Sequence, residues 1–292
     1  MTTCAGGRLI AMSVESTNRY GNAVRVFTRE GKALHGLKPP SDSDRCFIRA
    51  DRVLALPSGF SFDLDGRTLR NADTDPWNPS NLFDVDPSGK KALFGKYGAL
   101  NSYYLYERKL ETGETTRLIS WSVHAAPVYL ADGSILTEGR DQAERLVRLD
   151  AETGRVLRSY ELDHGWTLDR PVVWQFITDQ SRRRFGVLIR DYSSNERYVT
   201  MIFDMDKGLL CKWQGEETVS YIGECFALRK MNYHDLEFWD LETGQPIHTD
   251  RSERHIRRFY TRPDGREFYV VRSRAGGEET EAFRLEFDYG LE

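Results

Sequence analysis

Hydrophobic and polar residues alternate in short runs along this chain, as in Phe283-Arg284-Leu285-Glu286-Phe287-Asp288, and no convincing 3.6-residue period occurs anywhere. Alternation puts neighbouring side chains on opposite faces of an extended backbone, so these runs predict strands. The runs are separated by a recurring turn. Trp239-Asp240-Leu241-Glu242-Thr243-Gly244 returns as Leu149-Asp150-Ala151-Glu152-Thr153-Gly154 and as Phe203-Asp204-Met205-Asp206-Lys207-Gly208. Arg108-Lys109-Leu110-Glu111-Thr112-Gly113 keeps the turn without the apolar-Asp start, and shorter copies stand at Phe62 to Gly66, Phe287 to Gly290 and Phe27 to Gly31. The glycine supplies a residue that takes positive φ, and Asp or Thr beside it bonds to the turn backbone, so each copy predicts a hairpin.

The copies begin at residues 27, 62, 108, 149, 203, 239 and 287, so six intervals cover 260 residues. The mean repeat is about 43 residues, and seven such units would need about 303 residues, close to the chain length of 292. A second turn precedes several copies: Asp86-Pro87-Ser88-Gly89, Asp132-Gly133-Ser134, Asp179-Gln180-Ser181 and Pro263-Asp264-Gly265. Two hairpins per unit make four strands, A to D. Four antiparallel strands every 40 to 45 residues predict an all-β, seven-bladed β-propeller of mostly four-stranded antiparallel blades, spanning 1–292 as a single domain. A pair of β-sandwiches is the other arrangement such hairpins allow. The seam has two readings: residues 1–6 give the first blade an inner strand and leave a three-stranded seventh blade, or the ring closes differently.

On these residues the chain resembles the WD-repeat and quinoprotein-like propeller families, with Trp239-Asp240 as the Trp-Asp pair and Leu149-Asp150, Phe203-Asp204 and Phe287-Asp288 as substitutes. The resemblance covers most of the chain and is generic. Those families place a His about a dozen residues before the Asp-Gly turn. Here His124 precedes Asp132 by eight and His255 precedes Asp264 by nine, so the family's His-centred network is not carried over.

Composition narrows the function. Forty-one basic and 45 acidic residues leave a net charge of −4, and no overall positive field exists to hold nucleic acid or an anionic membrane. Arg182-Arg183-Arg184, the densest basic run, follows an A–B turn and lacks the interleaved aromatics that stack bases. No apolar run approaches the roughly 18 residues of a membrane span, and the amino terminus carries no secretion signal. Cys4, Cys46, Cys211 and Cys225 have no zinc-like spacing and read as buried thiols in a reduced, cytoplasmic setting. Of the basic residues 32 are Arg, which suits bidentate carboxylate contacts and stacking on aromatics.

Motifs for chemistry are sparse. Gly89 to Tyr97 misses a phosphate cradle twice, in glycine spacing and in Tyr97 where Ser or Thr would hold magnesium, and reads as a strand after a turn. HExxH, GxSxG and EF-hand patterns are absent. The acidic clusters Asp73-Thr74-Asp75 and Ser41-Asp42-Ser43-Asp44 read as solvated loops. No cofactor or metal is expected.

The richest side chains fall on one end of the predicted blades. D–A connections carry Trp77, Trp121, His124, His164, Trp166 and Arg170, and the connection into the last blade carries Arg251, Arg254 and His255. B–C loops add Tyr20, Tyr97, Tyr192, Tyr233 and His234. Aromatics and Arg concentrate where interfaces hold their binding energy, so this face predicts a protein-binding module without catalysis: a scaffold, adaptor or inhibitor. The alternative is a lactonase- or glycosidase-like hydrolase with a scattered central-channel site of metal ligands or paired carboxylates.

Overall fold

The computed structural model describes residues 2–4, 9–14, 23–28, 33–37, 45–49, 52–56, 60–63, 68–70, 81–97, 103–121, 123–140, 142–163, 171–179, 181–191, 197–215, 219–223, 226–231, 234–261, 267–273 and 280–286. Among them are strands and turns and no helix, hence none long and apolar enough to cross a membrane.

The strands form seven antiparallel sheets among the described residues. The first holds Thr2–Cys4, Leu9–Val14, Ala23–Thr28 and Ala33–Leu37 (β1–β4). Arg45–Arg49, Arg52–Leu56, Phe60–Asp63 and Thr68–Arg70 (β5–β8) form the second; Asn81–Val85, Lys91–Tyr97, Tyr103–Lys109 and Thr115–Arg117 (β9–β12) form the third. The fourth contains Val128–Tyr129, Ile135–Gly139, Gln142–Leu149 and Val156–Glu161 (β13–β16), and the fifth Pro171–Thr178, Arg184–Asp191, Arg197–Asp204 and Gly208–Gln214 (β17–β20). Val219–Ile222, Phe226–Lys230, Leu236–Asp240 and Pro246–Asp250 (β21–β24) make the sixth. The seventh has three strands, His255–Thr261, Glu267–Ser273 and Thr280–Glu286 (β25–β27). In every sheet the strands pair in chain order, so each is a meander. Among the described residues the first sheet includes the short β1 and the seventh holds three strands.

The repeated turn joins the third and fourth strands, and its side chains show why the residue types recur. Asp150 Oδ1 accepts from the backbone N–H of Glu152 (3.1 Å) and Thr153 (2.8 Å) and from Thr153 Oγ1 (2.8 Å). Asp240 Oδ1 takes the same two positions, Glu242 N (2.7 Å) and Thr243 N (2.9 Å), and Asp204 Oδ1 takes Asp206 N (2.9 Å) and Lys207 N (3.0 Å). Gly154 N and Gly244 N then bond back to the carbonyls of Asp150 and Asp240, both glycines at φ 67°. A side chain at that φ is strained, which fixes glycine there. Where Asp is replaced by Lys109, an ion pair to Glu114 (2.8 Å) bridges the turn instead. The turns between first and second strands use the same device. Asp86 accepts from Ser88, Lys90 and Lys91, and Asp179 from Ser181 and Arg184.

Two compact units result: Met1–Val123 with Pro127–Ile135 and Leu149–Arg155, and His124–Ala126 with Leu136–Arg148 and Val156–Glu292. In the first, Leu54, Leu56, Leu82, Val85 and Ala92 pack the second sheet on the third. Tyr129 adds a polar joint, its hydroxyl donating to Glu107 Oε1 (2.8 Å) and its backbone N–H to Asp84 (3.0 Å). In the second unit Tyr160 meets Phe185 and Phe203 with ring centroids 5.2 and 5.7 Å away. Ile202, Cys211, Trp213, Ile222, Ala227 and Leu241 then join the fifth sheet to the sixth, and Phe226, Leu228, Leu236, Phe238, Ile256 and Val270 the sixth to the seventh. Trp239 of the Trp-Asp pair lies in the first of these clusters, 5.0 Å from Trp213 and donating Nε1–H to Glu237 (2.6 Å). Burial pushes the Cys211 thiol up to about 12, so it stays an inert thiol.

Bulges recur at equivalent places. Phe83, Trp174, Ser220 and Arg257 are each the extra residue of a first strand against its second. Leu34, Leu69, Leu210 and Ile247 play that part in fourth strands. The outer bulges interrupt the ladder on the sheet edges, which blunts them against edge-to-edge pairing.

Candidate functional site

Since every sheet is a meander, its A–B and C–D turns leave one end and its B–C and D–A connections the other. The A–B and C–D turns just described are tight and satisfied by their own side chains. Among the described residues, the connections at the opposite ends include 118–121, 123–127, 162–163 and 251–254. Trp121 stands half-buried in the first of these and His124 in the second, Arg251 is exposed in the last, and His255 is the first residue of β25. Tyr97 is the last residue of β10, and Arg184 of the basic run opens β18. Trp77, His164, Trp166, Arg170, Tyr192 and Tyr233 lie outside the described residues.

The segment at His124 is built on a buried charge. Glu138, fully buried in β14, accepts from the backbone N–H of His124 (2.7 Å) and Ala125 (2.5 Å) with Oε1, while Oε2 takes His124 Nδ1 (3.2 Å). A carboxylate removed from water requires such donors, so the segment is fixed where the carboxylate sits. The hydrogen bond to Glu138 holds His124 above the ordinary histidine range, against the opposing effect of burial. With Nδ1 committed, the partly exposed ring presents its other edge.

A second anchor ties together residues of the sixth and seventh sheets. Arg272, 3% exposed in β26, donates from Nη1 to the carbonyls of His234 (2.5 Å) and Arg254 (3.3 Å), and from Nη2 to Asp250 (2.5 Å). One guanidinium thereby fixes both segments, and Ser252 N adds a bond to Asp235 Oδ1 (3.3 Å). The result brings His234 and His255 together, with ring centroids 4.4 Å apart and planes 46° from parallel. Thus residues 21 positions apart in sequence, both named above for this end of the blades, are neighbours.

A third feature was not among the sequence candidates. Trp174, the bulged residue of β17, is 49% exposed. The Arg190 guanidinium lies 5.1 Å from its ring centroid and 5.6 Å from that of Tyr198, giving a row Trp174, Arg190, Tyr198 across β17, β18 and β19. Trp174 is the fourth of the eight residues of β17, while Arg190 is near the end of β18 and Tyr198 near the start of β19, so the guanidinium and Tyr198 lie toward the D–A and B–C end of the fifth sheet and Trp174 stacks on the former from mid-strand. Stacking on a guanidinium holds an exposed indole in one orientation.

Chemically, these parts supply oriented donors and an aromatic platform. Among the described residues, no group of three or more His, Cys, Asp or Glu side chains is placed to hold a metal ion.

Neither a family model nor a curated protein matches this chain. Solved structures do. The Cps50 (Swd1) β-propeller domain of Myceliophteria thermophila is similar at a TM-score of 0.62 and 15% identity, over 97% of this chain and 93% of that one. BamB from Moraxella catarrhalis is similar at 0.51 and 15%, over 99% and 82%, and Kuenenia stuttgartiensis hydrazine synthase at 0.53 and 11%, over 98% and 95%. The fold is a β-propeller, and the WD-like resemblance read from the turns is that of the fold.

Proposed function

We propose that this chain is one seven-bladed propeller that binds a protein partner without catalysis, in a cytoplasmic setting, through the end of its blades that carries the D–A and B–C connections. The observation that carries this reading is Trp174: a large aromatic ring, half exposed, and held in place by Arg190 and Tyr198, which lie toward that end. A rigid aromatic that gives up little freedom on binding is the usual anchor of a protein interface. Trp121 and Arg251 supply further side chains of the enriched types at equivalent ends. The fold alone does not decide, because propellers occur in structures named for a propeller domain, for BamB and for a synthase alike.

The test takes a partner captured on the immobilised chain, purifies it, and measures its affinity for the chain with Trp174→Ala. Truncating an interface anchor costs about 2 kcal/mol or more, a weakening of roughly thirtyfold, while an exposed side chain contributes under about 1 kcal/mol to folding. Unchanged affinity in a folded Trp174→Ala chain sinks the reading.

The hydrolase reading draws on a different observation, the imidazole of His124 oriented by buried Glu138, the pairing that a base and its orienter would use beside a nucleophile or an activated water. Hydrolysis of lactone or aryl-glycoside substrates that disappears with His124→Ala would establish it over the binding reading.

A further inference from the structure

We infer that the outer half of one face of the third sheet binds an extended acidic segment of a partner protein, through Lys96 and Arg117 held over Tyr106 and Tyr104. The register sets these side chains on one face: Lys96 of β10 pairs with Tyr104 of β11, and Phe94 of β10 and Arg117 of β12 flank Tyr106. The contacts cross the rows. Lys96 Nζ lies 5.1 Å from the Tyr106 ring centroid and the Arg117 guanidinium 4.4 Å from that of Tyr104, while Phe94 stacks on Tyr106 at 5.5 Å. Arg117 is also held by its Nε, which donates to the Ile119 carbonyl (3.1 Å). Cations fixed over rings leave less ordering for a ligand to impose.

Charge selects the ligand. The two carboxylates of β9–β12, Asp84 and Glu107, both pair with Leu93 and so fall on the other face. This face carries Lys96, Arg108 and Arg117 and no carboxylate from these strands, in a chain whose acidic residues outnumber the basic by 45 to 41. Lys96 and Arg117 are exposed and form no ion pair among the described residues, and Tyr104 and Tyr106 are half-buried. The inner part of the same face is closed, where Leu82, Val85 and Ala92 pack against the second sheet. Spacing selects the conformation. Tyr104 and Tyr106 are alternate residues of one strand, about 6.8 Å apart, which is also the separation of same-face side chains in an extended ligand. Carboxylates at positions i and i+2 of such a segment therefore match the two cations. A long polyanion responds to the field of the whole molecule, and a net charge of −4 favours a short acidic stretch of protein over nucleic acid.

The site lies on a different sheet from Trp174 and does not rest on that reading. Its test uses the full chain and two short fluorescein-labelled peptides, one alternating Glu with Thr and one alternating Gln with Thr, followed by fluorescence anisotropy at low salt. The Glu peptide should bind saturably and the Gln peptide should not. Lys96→Gln and Arg117→Gln should each weaken the Glu peptide about tenfold by removing a charge-assisted contact. Lys109→Gln, which removes an exposed cation from the other face of the sheet, and Trp174→Ala should leave it unchanged, so that this inference and the Trp174 reading fail separately. No saturable binding of the Glu peptide, equal binding of the Gln peptide, equal weakening by Lys109→Gln, or full affinity in either Lys96→Gln or Arg117→Gln overturns the inference. An oligothymidylate that binds more tightly than the Glu peptide and weakens in the same variants overturns it in favour of single-stranded nucleic acid. Should those variants lose their β-sheet circular dichroism, NMR of the unsubstituted chain decides. A shift of the Arg117 Nε–H resonance on adding the Glu peptide supports the site, and none refutes it.

Discussion

Glu138→Gln isolates the charge that fixes the His124 segment, because the substitution keeps the shape of a side chain with no exposed surface. Glutamine retains one acceptor oxygen, which can still receive His124 N and Ala125 N, now at 2.7 and 2.5 Å from Oε1. Its amide nitrogen faces His124 Nδ1, which must then accept instead of donate. Hydrogen bonds to a charged group contribute about 1.5–3 kcal/mol and neutral ones about 0.5–1.5, so neutralising this acceptor should cost roughly 2–3 kcal/mol over the three contacts. Glu138→Ala also leaves the two backbone N–H groups unsatisfied beside a cavity and should cost about 4 kcal/mol or more. Urea unfolding near pH 6, followed by tryptophan fluorescence, gives both numbers. The pH dependence carries a sign. His124 is held above its unfolded value, so its contribution is full below about pH 6.5 and is lost as pH rises through the folded-state value. In Glu138→Gln that slope should vanish, and the His124 ring proton in an NMR titration should move at lower pH than in the parent chain. A cost below about 1 kcal/mol, or a His124 titration that does not move, would refute the view that this carboxylate holds the segment.

Gly154→Ala should destabilise severely in thermal melts, by about 3 kcal/mol or more, since φ is 67° and the new Cβ would stand 2.3 Å from the Leu118 carbonyl oxygen. Gly133→Ala has φ 80° but nothing within 4 Å, so strain alone should cost about 1–2 kcal/mol, and equal effects would count against the packing account. Tyr129→Phe removes the 2.8 Å bond to Glu107 and should cost about 1–3 kcal/mol in urea unfolding at pH 7. Burial already raises Glu107, with Tyr129 and Lys91 pulling the other way, so its stabilising increment belongs to acid pH and is lost as pH rises through the folded value. Losing Tyr129 raises Glu107 further, and the deficit of the variant should shrink on acidification; a deficit constant from pH 7 to 4 would contradict this.

The turns were legible because their chemistry is local. Asp150, Asp204 and Asp240 reach N–H groups two and three residues ahead, and Gly154 and Gly244 supply the positive φ, so residue type and offset appear together in the string. Repetition of that unit gave the spacing, and the spacing gave the meanders. The anchors of the candidate site are non-local. Glu138 serves residues 13 and 14 positions away and Arg272 one 38 away, and neither partner is visible from the local sequence around it. Trp174 was hidden for a different reason. Strict alternation puts it on one face with Phe176, which is buried, and puts Val173 with Gln175. The bulge at Trp174 breaks that period, so Val173 and Phe176 are buried while Trp174 and Gln175 both face solvent. A one-residue slip turns a ring that the pattern assigns to the core into one stacked on Arg190 at the surface. The same inner-strand bulge recurs at Phe83, Ser220 and Arg257, so the fold supplies the slip and each blade's residue at that position decides what the slip presents.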